Sequence, residues 1–149
     1  MPLVSAPLDG RAVGLVAVPD PVFARLMVGP GTAIDPVREP TEAVSPLDGV
    51  VISLYHHAYA VMDAEGHGVL THLGIDTVEL KGGGFEAPVK KGDRVTRGQG
   101  VIRWNPAAVE AAGQAPISPV VATDATADRT REVIEDAHVT RGEALFTWA

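Results

Sequence analysis

The sequence contains no cysteine and no apolar run long enough to cross a bilayer, and both absences exclude classes of function. Without cysteine there can be no disulfide, no thiolate metal site and no thiol nucleophile. A membrane helix needs roughly 18 or more consecutive apolar residues. The first ten residues, MPLVSAPLDG, also lack the basic stretch of a signal peptide. We therefore expect a cytoplasmic protein with no stable membrane insertion.

Basic residues are also scarce, since 12 Lys and Arg stand against 19 Asp and Glu for a formal charge of −7. This charge opposes the counterion release that dominates nucleic-acid affinity. We expect no nucleic-acid partner. A basic protein partner would be attracted over long range.

Aromatic residues make up only 5% of the chain, whereas 16 glycines and 12 prolines interrupt it frequently. Many turn residues among frequent valines favour short strands over long helices. At 149 residues, with 46% hydrophobic residues, the chain is long enough to bury a core. We predict an all-β protein with one domain over residues 1–149.

Two short motifs each occur twice. Pro-Leu-Asp-Gly occupies residues 7–10 and 46–49, and each copy precedes an apolar, β-branched stretch. Val-Thr-Arg-Gly occupies residues 95–98 and 139–142, and each copy leads to a tryptophan. Proline and glycine at these spacings predict turns that begin strands. The repetition predicts a duplicated-hairpin β-sandwich or flattened barrel.

Short sequence motifs predict one hairpin and two short helices within this β-sandwich. Residues 91–101 carry two glycines around a predicted hairpin, with Val95 and Val101 facing inward. Residues 105–113 begin with an Asn cap and Pro and end with Gly, which predicts the first helix. Residues 126–137 are predicted to form the second.

The five histidines differ in their surroundings. His67 lies in a predicted turn and His138 at a predicted helix exit, and both are interpreted as structural. His72 lies in an alternating stretch that places Val69, Thr71, Leu73 and Ile75 on one face. The opposite face carries Leu70, His72, Gly74 and Asp76. We expect this open face to form a site in which Gly74 leaves room for a bulky group on the imidazole.

The stretch that follows His72 resembles a known signature. Residues 72–82, HLGIDTVELKG, are similar almost residue for residue to the sequence around the phosphorylated histidine of glucose-type enzyme IIA domains. These belong to the bacterial phosphoenolpyruvate-dependent sugar phosphotransferase system. His57, fifteen residues earlier and followed by alanine, matches the family's second histidine. Residues 18–24, VPDPVFA, resemble its docking segment.

The resemblance implies a phosphotransferase-system component that works through a phosphohistidine intermediate and needs no cofactor. The tele nitrogen of His72 would accept phosphate from the histidine-containing phosphocarrier protein and donate it to a cysteine of the IIB domain of a glucose or N-acetylglucosamine class permease. His57 would hydrogen-bond the phosphoryl oxygens. Regulatory targets such as permeases and kinases are also implied. The residues implied to bind partners are Asp20, Val22, Phe23, Met27, Val28, Leu70, Asp76 and Val78.

This chain departs from the family at two positions near the site. Tyr55 stands where the family usually has a threonine that hydrogen-bonds the second histidine, within a loop that is about two residues shorter. Leu70 replaces an aromatic residue found in some members. Because Tyr55 replaces the threonine, the hydrogen bond that orients the ring of His57 in the family is not expected in this chain.

Two other functions remain open at this stage. His72-x-x-x-Asp76 matches half of the ligand pattern of lysostaphin-type zinc peptidases, but the second half, a His-x-His, is missing. No intrinsic metal site is therefore expected, although His57 and His72 could share a metal with a ligand from a partner. The other alternative is a phosphorylation-dependent regulatory binding module without relay activity, which the presence of both histidines disfavours.

Overall fold

The structure is a computed structural model that describes residues 2–148. The chain forms short strands joined by tight turns, as the distribution of glycine and proline predicts. The strands are β1 (Leu3–Ser5), β2 (Gly10–Ala12), β3 (Gly31–Pro36), β4 (Thr41–Val44), β5 (Gly49–Leu54), β6 (Ala58–Met62), β7 (Gly68–His72), β8 (Arg94–Val95), β9 (Gly100–Trp104), β10 (Ser118–Ala122), β11 (Thr130–Arg131), β12 (Ala137–Val139) and β13 (Ala144–Trp148).

The described strands assemble into three antiparallel sheets. The largest has eight strands in the order β12-β2-β3-β10-β7-β6-β5-β8. The smaller ones have the orders β1-β13-β11 and β4-β9. Apolar residues from all three sheets form the main core, so the all-β class and the sandwich architecture are confirmed.

The repeated motifs occupy matching positions and bind each other in matching ways. The Asp9 carboxylate accepts a hydrogen bond from the backbone N–H of Arg141 at 2.7 Å, and Asp48 accepts one from that of Arg97 at 2.7 Å. Each Pro-Leu-Asp-Gly turn is thereby joined to one Val-Thr-Arg-Gly turn. The duplicated unit predicted from the sequence is therefore visible in the hydrogen bonds.

The two units also exchange backbone hydrogen bonds across their junction. The N–H of Ser5 donates to the carbonyl of Pro46 at 3.0 Å, and the N–H of Val44 donates to that of Pro7 at 3.0 Å. Both bonds join equivalent atoms of the two copies. The reciprocal pairing gives the sandwich its pseudo-two-fold character.

At residues 91–101 the predicted burial is correct, but the two predicted strands do not pair with each other. Val95 and Val101 are buried as expected. However, β8 pairs with β5, and β9 pairs with β4, so the two strands belong to different sheets. The turn between them passes from one layer of the sandwich to the other.

The two described α-helices are α1 (Pro21–Ala24) and α2 (Pro106–Ala111). The count of two short helices is confirmed, and α2 lies where the Asn-Pro signal predicts it. The predicted second helix at residues 126–137 is wrong, because Ala127–Arg129 form a 3₁₀ turn and β11 then pairs with β13. Its adjacent apolar pair, Val133 and Ile134, is too narrow to form the stripe that a buried helix needs.

A second, smaller core cluster lies where α1 meets the large sheet. It contains Leu15, Val18, Phe23, Ala33, Ile75 and Val121. This cluster joins α1 to the loop after β7, so it fixes the surroundings of His72. Within residues 2–148 no helix is long and apolar enough to cross a membrane.

Candidate functional site

Backbone pairing brings His57 and His72 together. Strands β6 and β7 pair with Ala58 opposite His72, so the residue before Ala58 lies beside the end of β7. The N–H of Leu73 donates to the carbonyl of His57 at 2.7 Å. The two imidazole centroids are 5.0 Å apart, with the rings nearly perpendicular.

One nitrogen of His72 is already occupied. Its Nδ1 lies 2.5 Å from the carbonyl oxygen of Gly74. Because a carbonyl oxygen can only accept, Nδ1 must carry the hydrogen, and in the neutral ring Nε2 then has a free lone pair. The geometry therefore leaves Nε2, the tele nitrogen, as the ring atom that could act as a nucleophile.

The loop that supplies this carbonyl is held tightly. The N–H of Gly74 donates to Ser118 Oγ at 3.3 Å, and that of Ile75 donates to the carbonyl of Ala115 at 2.8 Å. Gly74 has φ +80°, and an added Cβ would lie 2.7 Å from Thr77 Cγ2. The expectation that Gly74 leaves room for a group on the imidazole is therefore wrong. Glycine is needed here for a left-handed turn and a close approach.

Four rings form a row through the site. The centroid of His57 is 6.2 Å from that of Tyr55 and 5.0 Å from that of His72, whose other neighbour is Phe23 at 5.3 Å. The His57 ring forms no hydrogen bond with another residue in the described part of the chain. The His57 ring is therefore positioned by its contacts with the rings of Tyr55 and His72.

Burial lowers the pKa of both site histidines. For His72 this effect outweighs the Gly74 carbonyl and the charges of Asp20 and Asp76, which all favour the protonated ring. For His57 the pKa is lowered by burial first and then by the neighbouring His72 and His56. Both rings are therefore neutral near pH 7, the state that a nucleophilic nitrogen requires.

Two predicted acidic residues flank His72 closely enough to act on its charge. The Asp20 carboxylate caps α1 by accepting a hydrogen bond from the N–H of Val22 at 2.9 Å. Asp76 is exposed in the loop after β7, with φ +60°. The pair gives one side of the site a negative potential that would attract a basic partner.

The predicted apolar docking residues differ in exposure. Met27 and Val78 are 70% and 61% exposed, and Val22 is 40% exposed. Val28 and Leu70 are partly buried and pack on the smaller core. Phe23, which an exposed apolar docking patch around His72 was also expected to include, is only 6% exposed, so that expectation is wrong for this residue. Its ring instead packs against His72.

The other histidines lie elsewhere. His67 Nδ1 is 2.9 Å from an Asp63 carboxylate oxygen, and its ring packs against Trp148, which fixes the turn before β7. His138 is exposed on β12. Within residues 2–148 no three His, Asp or Glu side chains are grouped so that they could hold a metal. A metal at His57 and His72 would need a ligand from another molecule.

The sequence reasoning missed two parts of the site. The carbonyl of Gly74, held by Ser118, orients the His72 ring, and the Gly-Ile-Asp sequence was the signal for a turn there. The second is a cavity beside His57 that Tyr55, His56 and Lys81 help to line. In the sequence, Tyr55 is distinguished only by standing where the family usually has a threonine.

Comparison with known proteins gives one consistent result. The family of the phosphoenolpyruvate-dependent sugar phosphotransferase system called EIIA 1 matches residues 3–127. The chain is 36% identical over 141 residues to the glucose-specific EIIA component of Bacillus cereus, covering 93% of this chain and 84% of that protein. It is 39% identical over 144 residues to that of Oceanobacillus iheyensis, covering 94% and 85%.

Two further similarities extend this result. The glucose-specific EIICBA component of Staphylococcus carnosus is 36% identical over 146 residues, which cover 97% of this chain and 21% of that protein. The solved structure of glucose permease IIA from Mycoplasma capricolum has a TM-score of 0.86 at 28% identity, covering 97% and 94% of the two chains. The chain therefore belongs to the EIIA 1 family of the phosphoenolpyruvate-dependent sugar phosphotransferase system.

Proposed function

We propose that this protein is a cytoplasmic phosphoryl carrier that holds the phosphoryl group on Nε2 of His72. The observation that carries the proposal is the 2.5 Å contact between His72 Nδ1 and the Gly74 carbonyl. This contact consumes one nitrogen as a donor and leaves the other as a nucleophile. The lowered pKa of His72 keeps that nitrogen unprotonated near neutral pH.

The first half-reaction takes a phosphoryl group from the phosphohistidine of the histidine-containing phosphocarrier protein. The Nε2 lone pair of His72 attacks phosphorus, the new N–P bond forms, and the N–P bond to the donor histidine breaks. In the second half-reaction a cysteine thiolate of a IIB domain attacks phosphorus, an S–P bond forms, and the N–P bond to Nε2 of His72 breaks. Docking of two proteins supplies proximity and orientation, so no metal or nucleotide is required.

His57 has a supporting role in this proposal. Its ring centroid lies 5.0 Å from that of His72, close enough for an N–H of His57 to donate to a phosphoryl oxygen on the neighbouring ring. During transfer the negative charge is spread over the three equatorial oxygens, and a positioned donor stabilises it there. Asp20 and Asp76 would meet basic groups of the partner, while Val22, Met27 and Val78 supply exposed apolar contact.

The fused Staphylococcus carnosus relative supports a IIB domain as the acceptor. In that protein the matching segment is 21% of a chain named as an EIICBA component, so an A segment is covalently joined to B and C segments. We infer that the present chain serves a B segment of a glucose or N-acetylglucosamine class permease. Phosphorylation-dependent binding of regulatory targets would use the same surface.

The test is labelling from radioactive phosphoenolpyruvate in the presence of purified upstream carrier proteins. We expect one acid-labile phosphate per chain, and ³¹P and ¹⁵N NMR should place it on Nε2 of His72. His72→Ala should take up none, whereas His138→Ala, changed at an exposed histidine on β12, should label fully. Full labelling of His72→Ala, or a phosphate on Nδ1, would overturn the proposal.

A further inference from the structure

A cavity of about 580 Å³ lies beside the phosphorylation site without including His72. His57 is the one site histidine that contributes to its wall. The lining residues are Leu54, Tyr55, His56, His57, Val78, Lys81, Gly82 and Ala87. Its volume lies within the range of about 300–1,000 Å³ that is typical of small-molecule sites.

Three exposed hydrogen-bond donors line this cavity without partners among the described residues, beside the partly buried ring of His57. Tyr55, His56 and Lys81 are exposed, and their side chains form no hydrogen bond or ion pair with other residues of the described chain. Among residues 2–148 no carboxylate lines the cavity, although the chain carries a net charge of −7. An ammonium group, a phenol and an imidazole around an acid-free cavity suit an anionic ligand.

The backbone that carries these donors is held in place. The N–H of Tyr55 donates to the carbonyl of Ala58 at 2.8 Å, which closes the turn between β5 and β6. Gly82 has φ +82°, and a Cβ there would lie 2.8 Å from the His56 ring. The imidazole of His56 therefore packs on the Gly82 backbone. The N–H of Lys81 donates to the carbonyl of Val78 at 3.1 Å.

The apolar part of the lining favours an organic anion over a small inorganic anion such as phosphate. Leu54, Val78 and Ala87 add apolar surface to the same cavity. Polar groups that fix one end of a ligand, combined with apolar surface for the rest, are the usual composition of a small-molecule site. The three exposed donors can each meet one terminal oxygen of a phosphate monoester, whereas a carboxylate offers only two oxygens.

We propose that this cavity binds a small phosphate monoester, with its phosphate on Tyr55, His56 and Lys81 and its carbon skeleton against the apolar wall. Val78 belongs both to this cavity and to the predicted docking surface. A bound ligand would therefore cover part of the surface used by the proposed relay. That consequence rests on the proposed function, whereas the binding itself does not.

The test is a ¹H–¹⁵N NMR titration of the unphosphorylated chain at constant ionic strength. Glucose 6-phosphate is the probe, and glucose and inorganic phosphate are the comparisons. We expect saturable shifts of the Tyr55–His57 and Lys81–Gly82 amides with glucose 6-phosphate, affinity at least about fivefold weaker for inorganic phosphate, and no shifts with glucose. No phosphotransferase partner is present, so a negative result would leave the labelling of His72 untouched.

Matched variants locate the binding. Lys81→Gln removes the cation and should raise Kd about tenfold, the expected loss for a charged hydrogen bond. Tyr55→Phe keeps the ring and should raise Kd by a smaller factor. Lys91→Gln, at an exposed lysine outside the cavity, should bind like the parent chain. Unsaturable shifts, equal affinity for inorganic phosphate, or equal effects of the two lysine variants would overturn the proposal.

Discussion

His72 Nδ1 lies 2.5 Å from the Gly74 carbonyl oxygen, a contact made between residues only two apart in the chain. It forms because β7 ends at His72 and Gly74 turns the backbone back with φ +80°. The side chain and its acceptor thus belong to one rigid turn, which is fastened to Ser118. A change in the conformation of this turn should therefore change the orientation of the His72 imidazole.

Gly74→Ala should slow phosphorylation of His72 as well as destabilise the fold. The new Cβ would lie 2.7 Å from Thr77 Cγ2 and 2.8 Å from the Ala115 carbonyl oxygen, so the turn must shift and carry its carbonyl away from Nδ1. We expect a loss of about 1–3 kcal/mol in the free energy of unfolding. Urea unfolding and single-turnover labelling measure the two effects.

Gly98→Ala is the control for this change. Gly98 has φ +87°, yet nothing lies within 4 Å of an added Cβ, so alanine there adds backbone strain without a clash. We expect a cost of about 1 kcal/mol and an unchanged labelling rate. If Gly74→Ala labelled as fast as Gly98→Ala, the Gly74 carbonyl would not orient the ring.

Alternation in the sequence was sufficient to predict the strand of His72, whereas the place of His57 in the same site was implied by the family resemblance alone. Alternation places Val69 and Thr71 in the core, and β7 shows that burial. The prediction of a continuing strand fails after His72, because β7 ends there; Leu73 is buried in the main core and Ile75 in the smaller core, both from the loop that follows. Alternating burial alone does not separate a strand from a well-packed turn.

The burial of Phe23 shows a second limit of the sequence. Asp20 followed by Pro21 carries the cap and first-turn residues of a helix, but the family resemblance identifies this stretch only as a docking segment. The helix is one turn long, and its packing on Ala33, Ile75 and Val121 depends on strands remote in the sequence. Only the assembled sheet shows that this ring faces inward.

Phe23→Ala should therefore destabilise the protein. Its side chain is 6% exposed and fills the space between His72 and the smaller core. Truncating a buried phenylalanine costs about 3 kcal/mol or more. We expect both a lower free energy of unfolding, from urea titration, and slower labelling. Unchanged stability would mean that the ring is not part of the core.

Met27→Ser should weaken partner transfer without this loss of stability. Met27 is 70% exposed, so its substitution should change the free energy of unfolding by less than about 0.5 kcal/mol. Transfer from the upstream carrier, measured below saturation, should fall on the order of tenfold if Met27 is an anchor of the interface. Val37→Ser, at an exposed apolar residue outside the predicted surface, is the control. Equal transfer rates for the two variants would show that Met27 is not part of the docking surface.

The lowered pKa values of His72 and His57 predict a loss of stability in mild acid. Each ring takes up its proton more readily in the unfolded chain, where its pKa returns to about 6.5. Above that pH the two rings are neutral in both the folded and the unfolded state, and the free energy of unfolding is at its maximum. As the pH falls below it, the rings of the unfolded state take up protons first, which favours unfolding. The free energy of unfolding should decline from about pH 7.5 to about pH 5.5, and less steeply in His72→Gln. Parallel declines in the two chains would show that His72 does not contribute.

His57→Gln should separate the two half-reactions of the proposed relay. Glutamine keeps a donor of similar reach, and a docked phosphocarrier protein brings its own positive groups, so acceptance of phosphate by His72 should continue. Donation to a IIB cysteine has fewer donors to rely on and should slow by about 10²–10⁴-fold, the usual contribution of a positioned donor or acid–base group. The His57 ring has no hydrogen bond within the described residues and is oriented by Tyr55 and His72, so we expect the lower end of that range. Rapid-quench measurement of both steps tests this prediction, with His138→Gln as the control. Undiminished donation by the His57→Gln variant would show that His57 only packs beside the reacting ring.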